Sequence, residues 1–569
     1  MKSKIAVLWL PVLAVAALPV LAQQEDPGEV LEEGAYVETV EVNLVNVDVY
    51  VTDKKGNPIT GLTLDNFELL EDGDPVAITN FTAFEMGSPV GESLEVQPAE
   101  IPKSEALLLP DRTIEVEVPA EQRLYLVIYV DNFNIRPFNR NRVFRRLREF
   151  LNDNVTKQDR VMLVSYDRSL HIRHHFTSDP QLISAALFDL EDVTGHAVHL
   201  DADRRDLLRE IDEAEEVREV EWRVRQFAEN QYNDLSFSID AMEEIVQSLS
   251  GLPGRKAVLY VSDGLPMVPA EDLYYAMSQK FSTSSVILQS RQFDASRKFL
   301  ELSSRASTGR IAIYTIDAAG LRVAMDSGAE WRGSSTTGVP GMVDSVYTAN
   351  IQSPLMMMAE QTGGLAIYNT NDVGPSLAKV AADLKSYYSL GYTPAHNGTG
   401  RLYKIKVRVK GRKGLVVRHR SSYRDHTLHV RMTDMAKSTL AYGVTVNPLQ
   451  LEMRLGQAVP HDKDLYDMAV EVRIPLDNIV TLPLSEVHEA RLKLYFGAMD
   501  EEGDMSEVSE VDLPIRIPNE QFEETAGMSY SFQTRLRMRT GGHRVAVGVW
   551  DELGAVSSFI TKSVNIGSG

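Results

Sequence analysis

Four apolar, β-branched runs that each end at an aspartate recur along the middle of the chain, at residues 124–131, 160–167, 256–263 and 310–317. A buried parallel strand has this pattern, because both of its faces are covered and its residues need not alternate. Helical spacing of apolar residues separates the runs, for example over 141–152. The pattern predicts a doubly wound α/β domain over residues 122–396. Its aspartates would lie at the carboxyl edge of the sheet, where ligands bind in open α/β folds.

Residues 201–230 are dense in glutamate and arginine and carry few apolar positions. This composition predicts a long, exposed helix that is stabilised by ion pairs and inserted into the α/β domain. The next segment, 235–249, has the amphipathic spacing of an ordinary helix packed on a core. The charged helix is therefore a second candidate interaction surface, beside the carboxyl edge of the sheet.

Period-two alternation predicts β structure in the N-terminal part of the chain. Over residues 37–51 the apolar positions alternate in two phases that slip at Leu44–Val45. The slip predicts a break in a half-buried strand, because it would turn the apolar side chains to the opposite face. Turn-forming sequences follow, and we predict a small β module over 37–85. A segment rich in Pro, Glu and Ser over 86–121 is predicted to be a linker.

The C-terminal part of the chain alternates in the same way. Residues 402–410 alternate strictly, and 414–420 follow them after a turn. We therefore predict that the two segments pair as a β-hairpin within 397–426. Short alternating segments with turn signals fill residues 427–569 and predict an antiparallel, immunoglobulin-like β-sandwich. The whole chain is thus predicted to be multi-domain, α/β plus all-β, because 569 residues are too many for one core.

Residues 1–22 have the pattern of a signal peptide. Lys2 and Lys4 precede an apolar run, and Ala22 ends a small-residue cleavage site. The run is shorter than a spanning helix needs and contains two prolines, so an uncleaved anchor is the second interpretation. Residues 23–36 are acidic and lack periodicity, which predicts a flexible leader. No later stretch is apolar enough to predict a membrane span after signal cleavage.

The absence of cysteine excludes disulfides, thiolate metal sites, thiol nucleophiles and a lipid-modified cysteine after the signal peptide. An exported chain without disulfides indicates a bacterial protein of the periplasm or the extracellular space. The formal net charge of −23 argues against a nucleic-acid partner, because nothing offsets the repulsion from phosphates.

Five motifs follow one another along the chain: VDVYVTDKKGNPITGL (47–62), DNFELLEDG (65–73), GRKAVLYVSDG (254–264), IYTIDAAGL (313–321) and YYSLGYTP (387–394). In this order they resemble the secreted bacterial family of VWFA-related (acidobacterial) domain proteins, and more broadly the von Willebrand factor A domain. The resemblance covers roughly residues 37–425. It implies a Rossmann-type α/β domain that binds protein ligands through a metal-ion-dependent adhesion site.

In that family the first metal-binding loop reads Asp-x-Ser-x-Ser, whose hydroxyls supply oxygen ligands to a hard cation. The corresponding loop here begins at Asp131, but Phe133 and Ile135 stand where the serines would be. Neither side chain can coordinate a cation. Asp263 corresponds to the family's later aspartate. The resemblance therefore implies a degenerate adhesion site.

Four residues are candidate metal ligands at this degenerate site: Asp131, Asp263, Asn134 and Thr194. Asn134, or alternatively Asn132, would contribute a carbonyl oxygen from a rearranged loop, and Thr194 is the best match to the family's threonine. No cofactor is assigned beyond a divalent cation, Mg²⁺ or Ca²⁺, at these residues. The competing interpretation is structural, with Asp131 and Asp263 capping the N-termini of neighbouring helices. The binding surface would then act without metal.

Other chemical signals in the sequence point to no defined reaction. His171, His174 and His175 form a cluster that could hold a metal ion, but solvated or packed histidines are the expected state. The acidic residues 500–504 are predicted to form a hairpin loop rather than a calcium site. No GxSxG elbow, no phosphate-binding loop and no nucleophile–base set is present in the sequence. We therefore predict that the chain is not an enzyme.

These patterns together predict an exported, non-enzymatic protein of the adhesion or protein-binding type. The sequence names neither its protein ligand nor its oligomeric state. The first alternative is a structural scaffold component of an envelope assembly, in which the A-like domain is a rigid spacer. A more remote alternative is a hydrolase, which a closed pocket with perturbed carboxylates would favour.

Overall fold

A computed structural model of the chain describes residues 44–85, 88–90, 123–195, 197–322 and 340–567. The predicted signal peptide, the flexible leader, the strand residues before Leu44 and, apart from 88–90, the predicted linker lie outside these ranges. No helix within the described ranges is long and apolar enough to cross a membrane.

The elements follow chain order in four groups, which together make a mixed α/β protein with several sheets. The first strands are β1 (Val45–Thr52), β2 (Phe67–Glu71), β3 (Asp74–Val76), β4 (Asn80–Glu85) and β5 (Ser88–Val90). The α/β part consists of β6 (Leu124–Asp131), α1 (Pro137–Asn154), β7 (Arg160–Tyr166), β8 (Leu170–Thr177), α2 (Pro180–Glu191), α3 (Ala197–Glu213), α4 (Val217–Ser250), β9 (Arg255–Ser262), α5 (Glu271–Lys280), α6 (Ser285–Ser290), α7 (Ser296–Thr308), β10 (Ile311–Asp317), α8 (Pro340–Thr362), β11 (Ala366–Ile367) and α9 (Gly374–Lys385). Four strands follow: β12 (Tyr387–Tyr392), β13 (Leu402–Val409), β14 (Val416–Arg418) and β15 (Ser422–Arg424). The last group is α10 (Leu428–Tyr442), β16 (Glu452–Asp462), β17 (Leu465–Pro475), β18 (Leu482–Pro483), β19 (Val487–Asp500), β20 (Ser509–Pro518), β21 (Ser529–Arg539), β22 (Gly541–Asp551) and β23 (Val556–Ile566).

The central sheet has six strands in the order β11-β10-β9-β6-β7-β8, and only the edge strand β8 runs antiparallel to its neighbour. Helices α4, α7 and α8 pack on one face and α1, α2 and α9 on the other, each set enclosing an apolar core. The predicted parallel strands are therefore confirmed. Asp131, Asp167, Asp263 and Asp317 lie at or just beyond their carboxyl ends, because parallel strands all end at one edge.

The charged segment 201–230 does not form one exposed helix, so that prediction is wrong. It is divided by residues 214–216 between α3 and α4, and α4 continues without interruption through the helix predicted at 235–249. Both helices pack on α5 through a narrow apolar stripe that includes Leu207, Ile211, Val220, Val224 and Ala228. A stripe of this width is enough to bury one side of a helix pair while charged residues occupy the rest of its surface.

The N-terminal β module is completed by strands from far along the chain. β1 pairs antiparallel with both β12 and β14, and β2 pairs antiparallel with β13. The sheets β14-β1-β12-β4-β5 and β15-β13-β2-β3 share one apolar core. The module predicted over 37–85 alone is thus incomplete. Residues 387–392, predicted to belong to the α/β domain, lie in the module instead.

The predicted pairing of 402–410 with 414–420 is wrong, although β13 does pair antiparallel with β15 within 397–426. β13 pairs with β2 on one side and β15 on the other, whereas β14 pairs with β1 in the other sheet. The alternation itself is present, with Tyr403, Ile405 and Val407 buried. Alternation shows which face of a strand is buried, but it does not identify the neighbouring strand.

The C-terminal strands form two antiparallel sheets, β16-β17-β21 and a second sheet made of β18, β19, β20, β22 and β23, which share one apolar core. This pairing agrees with the predicted antiparallel sandwich. Helix α10 was not predicted, because residues 427–569 were all assigned to alternating strands. That helix packs against β19 and β22 of the sandwich and against α4 of the α/β part. At the end of α4, a Cβ on Gly251 would lie 2.1 Å from the carbonyl oxygen of Asp434 in α10. Glycine is therefore required there for the two helices to approach.

Candidate functional site at the carboxyl edge of the central sheet

A short loop, residues 132–135, lies between the carboxyl ends of the adjacent strands β6 and β9. It follows Asp131 at the end of β6 and leads into α1. The backbone N–H of Asn134 donates to Oδ1 of Asp131 at 3.1 Å, and the carbonyl of Asn134 accepts from the backbone N–H of Asp263 at 3.1 Å. The two aspartates predicted to meet at this edge therefore lie on either side of one loop.

Asp131 is buried, and both of its carboxylate oxygens accept hydrogen bonds. Oδ2 accepts from the hydroxyl of Tyr260 at 2.5 Å and from Nδ2 of Asn134 at 2.9 Å. Burial raises the pKa of Asp131, and the hydrogen bonds from Tyr260 and Asn134 offset part of that effect. Asp131 does not cap α1, because the residue at the start of that helix is Arg136. Its contacts fix the loop to β9.

Phe133 and Ile135 are both core residues. Phe133 packs with the side chains of α4 on one face of the sheet, and Ile135 packs with those of α1 on the other. Each is at most 2% exposed. The positions that present hydroxyls in a metal-binding loop are thus occupied by side chains that anchor this loop in two apolar cores.

Asp263 differs from Asp131 because one of its oxygens is unused. Oδ2 accepts from the backbone N–H of Arg136 at 3.0 Å and from Nδ2 of Asn139 at 2.8 Å, so Asp263 does bind the N-terminus of α1. Oδ1 is buried and has no hydrogen-bond partner among the described residues. Burial raises the pKa of Asp263 to about 6, although these two hydrogen bonds and the charges of Arg136 and Arg322 act to lower it.

The predicted metal ligands do not fit a cation site. The side chain of Thr194 is exposed, and its carbonyl oxygen accepts from Nδ2 of Asn132 at 2.9 Å. The carbonyl of Asn134 and both oxygens of Asp131 are also engaged. Among these four residues only Asp263 retains a buried carboxylate oxygen without a partner, whereas Mg²⁺ or Ca²⁺ needs about six oxygen ligands. The guanidinium groups near Asp263 further oppose a second positive charge.

A cleft of about 70 Å³ opens at Asp263, between the carboxyl edge of the sheet, α3, α4 and α8. Two ion pairs form its walls. Arg136 binds Asp201 of α3 in a partly exposed pair, and Nε of Arg204 donates to Asp272 of α5 at 2.6 Å in a buried one. These pairs hold α3 against the elements on either side of it. Helices α3 and α4 together cover one side of the cleft.

Arg322 supplies a donor beside Asp263. Its Nη2 donates to the carbonyl oxygen of Asp263 and to Oδ1 of Asp317, at 2.9 Å for the latter. Nε2 of Gln352 donates to the other oxygen of Asp317 at 2.8 Å. Nε of Arg322 is buried and has no acceptor among the described residues. Two residues that line the cleft and contact each other thus carry one unused acceptor and one unused donor.

The other segments considered from the sequence lie away from this cleft. His171, His174 and His175 are on the edge strand β8, and residues 500–504 form the turn region between β19 and β20. Nowhere in the described ranges do three or more His, Asp or Glu side chains converge in a way that could hold a metal ion.

The sequence pattern does not single out Arg136, Arg204, Arg322 or Tyr347, which all line the cleft. Arg204 also stacks on the ring of Tyr347, with 4.0 Å between the guanidinium carbon and the ring centroid. Arg204 lies in the charged segment, and that density of charge is the one signal that could have drawn attention to it. The other three are isolated polar residues in sequence and meet only through the fold.

Comparisons with known proteins do not identify a family. No family model matches the chain, and no curated protein matches it. Among solved structures, BatB from Bacteroides thetaiotaomicron superposes at 8% identity and a TM-score of 0.22, covering 46% of this chain and 96% of its own. The manganese-loaded TRAP protein of Plasmodium vivax matches at 8% identity and a TM-score of 0.21, covering 54% and 96%. Three N-terminal domains of the type V pili tip protein Mfa5 from Porphyromonas gingivalis match at 9% identity and a TM-score of 0.24, covering 92% and 77%. Similarities at these TM-scores carry no argument about the function of this chain.

Proposed function

We propose that this chain is an exported, non-enzymatic binding protein that recognises a protein ligand through the Asp263 cleft without a metal ion. The observation that carries the proposal is that Asp263 and Arg322, which both line the cleft, each carry a buried polar atom without a partner among the described residues: Oδ1 of Asp263 and Nε of Arg322. A buried polar atom without a partner costs folding free energy, because it has lost its water and gained nothing in return. A ligand that supplies the missing donor and acceptor removes that cost on binding.

The chemistry of the cleft favours an amide group. Oδ1 of Asp263 requires a donor, and Nε of Arg322 requires an acceptor, which a side-chain carboxamide or a peptide unit offers together. One water molecule needs about 10–15 Å³ of such space, so the volume of about 70 Å³ has room for a carboxamide group. We therefore propose that an asparagine or glutamine side chain of the partner enters the cleft.

The resemblance to von Willebrand A-like domains supports the same edge of the sheet, since that family binds protein ligands there. The difference lies in the contact. Phe133 and Ile135 replace the hydroxyl ligands and are buried, so recognition would fall to Asp263 and Arg322 themselves. The signal-peptide pattern at residues 1–22 supports export.

A displayed library of random peptides, selected against residues 23–569 in a buffer with chelator, tests this function. Selected peptides should contain Asn or Gln and should lose roughly 10- to 100-fold in affinity on Asp263→Asn, because a hydrogen bond to a charged acceptor is removed. Arg322→Gln should weaken the same peptides. Added Mg²⁺ should leave their affinity unchanged.

The matched control is Trp222→Ala, which alters an exposed side chain of α4 in a separate groove. It should leave the affinities of the selected peptides unchanged. Peptides that depend on Trp222 and are indifferent to Asp263 would move the binding surface to the charged helices and refute the cleft. A library that yields no specific binder would favour the scaffold alternative.

One observation favours a hydrolase as the second candidate: the pKa of Asp263, raised by burial to about 6, suits a general base. Against it, the described residues that line the cleft include no serine, threonine, cysteine, lysine or histidine. The other carboxylates of the cleft, Asp201 and Asp272, are engaged by Arg136 and Arg204, so water is the expected nucleophile. Turnover of chromogenic ester or glycoside substrates that disappears with Asp263→Asn would establish this candidate in place of the binding function.

A further inference from the structure

Four basic side chains meet in a pocket between the N-terminal β module and the α/β part. This pocket shares no lining residue with the Asp263 cleft. Arg255 and Lys256 begin β9, Arg310 precedes β10, and Arg420 lies between β14 and β15. Asp48 of β1 is the single carboxylate among the described residues that line this pocket. Charges of one sign therefore outnumber the other by four to one.

Most of these cations are buried from solvent. Arg255, Lys256 and Arg420 are 7%, 6% and 8% exposed, so bulk water cannot screen them. Bringing a charge into a protein interior costs free energy unless an opposite charge or several hydrogen bonds compensate it. The pocket must supply that compensation from within.

Asp48 compensates only part of the cluster. Its Oδ1 pairs with Arg310 at 3.0 Å, and its Oδ2 lies 4.0 Å from Nε of Arg255. Although burial by itself raises the pKa of Asp48, Arg310, Arg255 and Arg420 hold it below its ordinary value. Asp48 thus remains ionised, and each of its carboxylate oxygens faces an arginine.

The remaining two cations are held by neutral carbonyl groups. Nζ of Lys256 donates to the carbonyl of Leu252 at 2.7 Å. Arg420 donates to the carbonyls of Ser307 and Asn46, each at 2.7 Å. Neither forms an ion pair with a described carboxylate. Asp48 attracts both charges from a distance, so their compensation is only partial.

Unused donors remain beside the pocket. Nε of Arg310 and Nε of Arg420 are both buried and have no acceptor among the described residues. The ammonium group of Lys256 has three protons and one identified acceptor. Burial, followed by the charge of Arg310, lowers the pKa of Lys256 to about 7. The charge of Arg310 acts in the same direction on Arg420, whose pKa burial and Arg310 lower to about 10.

We infer that this pocket is a binding site for a small inorganic anion, of the size of chloride, held by Lys256, Arg310 and Arg420. The free volume of about 20 Å³ has room for one water-sized particle, which suits a halide and is too small for a four-oxygen anion such as phosphate or sulfate. The bound anion accepts from the donors that have no partner. It also offsets the surplus of charge.

The position of this site gives the anion a structural role. Lys256 and Arg310 belong to the α/β part, whereas Asp48 and Arg420 belong to the β module. A chloride between them would join two parts of the molecule whose strands are contiguous in space but not in sequence. Its loss should loosen that junction before it affects either core.

Crystals grown in sodium bromide give a direct test, since bromide replaces chloride and scatters anomalously. An anomalous peak between the side chains of Lys256, Arg310 and Arg420 is expected. Absence of a peak there overturns the proposal, and so does electron density showing that a carboxylate from another part of the chain occupies the pocket.

Thermal unfolding gives an independent test in solution. At equal ionic strength, sodium chloride should raise the unfolding midpoint above that in sodium gluconate by at least about 2 °C, because only the folded state holds the anion. Lys256→Met should abolish that difference. The control Lys280→Met removes another lysine whose ammonium group donates to a backbone carbonyl, and it should preserve the difference.

The difference between the two salts is the quantity to compare, so a general loss of stability in either variant does not affect the conclusion. A chloride effect that persists undiminished in Lys256→Met would overturn the proposed site. This result is independent of peptide binding at the Asp263 cleft, because neither Lys256 nor Arg420 lines that cleft.

Discussion

Substituting Asp263 by asparagine should stabilise the folded protein at neutral pH. The pKa of this carboxyl is about 6 in the folded state, against an ordinary value of 3.8. At about 1.36 kcal/mol per unit, ionisation of Asp263 costs the folded state roughly 3 kcal/mol. Asparagine does not ionise. Its amide oxygen can keep both hydrogen bonds that Oδ2 accepts, from Arg136 and Asn139.

The sign of the pH dependence follows from the raised pKa. Between about pH 4 and pH 6 the folded state holds the proton of Asp263 more tightly than the unfolded state, so wild-type stability falls as pH rises through this window. The free-energy advantage of Asp263→Asn should be near zero at pH 4 and should reach roughly 3 kcal/mol by pH 7. Equilibrium urea unfolding at pH 4, 5, 6 and 7 measures it, with pulsed hydrogen exchange of β9 reporting on the α/β part.

Two controls separate this effect from general changes in charge. Asp153→Asn, at an exposed position of α1, should keep the wild-type pH dependence. Asp263→Ala removes the acceptor of both hydrogen bonds and should be less stable than Asp263→Asn at every pH. An advantage of Asp263→Asn that is equal at pH 4 and pH 7 would refute the reasoning, as would a variant that is less stable than wild type at pH 7.

Three further predictions follow from the same contacts. Ile135→Ser should lower the free energy of unfolding by about 4–6 kcal/mol in urea titrations, because it removes a buried side chain and leaves a hydroxyl in an apolar core; a stable variant that gains a cation-dependent midpoint would contradict this. Mg²⁺, Ca²⁺ or Mn²⁺ should leave the thermal midpoint of the wild type and of Asp131→Ala equal to that in chelator, whereas a rise that Asp131→Ala abolishes would restore the metal site. Arg418→Ala should destabilise the junction of module and α/β part by about 3–5 kcal/mol, since it leaves the buried carboxylate of Asp383 without Nη2 of Arg418, which donates to both of its oxygens. The Asp383→Ala double variant should recover part of that loss in the same titration.

The parallel strands could be predicted because each is covered on both faces. Runs such as Leu124–Asp131 bury nearly every side chain. Their sequence is therefore apolar throughout, and it can be recognised without knowing which strands pair with it. The aspartates at their ends were predictable because the apolar run and the strand end together.

The partners of the alternating strands could not be predicted. Val45 pairs with Tyr392 and Val49 with Tyr388, across more than three hundred residues of intervening chain. Alternation specifies a buried face, and many strands share the same face pattern. Adjacent alternating segments favour a hairpin only as a tendency, and here 402–410 and 414–420 lie in different sheets.

The candidate site was predictable only in part. The residues of the degenerate loop are local in sequence, so Asp131, Phe133 and Ile135 could be located and the missing hydroxyls recognised. The state of each carboxylate depends on groups from other elements, such as Tyr260 for Asp131 and Arg322 for Asp263. Hydrogen-bond saturation is a property of the assembled fold and leaves no local signal.

Asp131 and Asp263 differ in how completely the fold satisfies their carboxylate oxygens. Both are buried at the carboxyl edge of the sheet, and burial raises the pKa of each. Asp131 has hydrogen-bond donors at both oxygens and fixes a loop, so its burial is explained within the fold. Asp263 leaves one oxygen unpaired at a cleft. Because asparagine there would keep the structural hydrogen bonds and avoid the cost of ionisation, stability alone does not account for a carboxylate at this position. The unpaired oxygen is accounted for when a ligand donates to it.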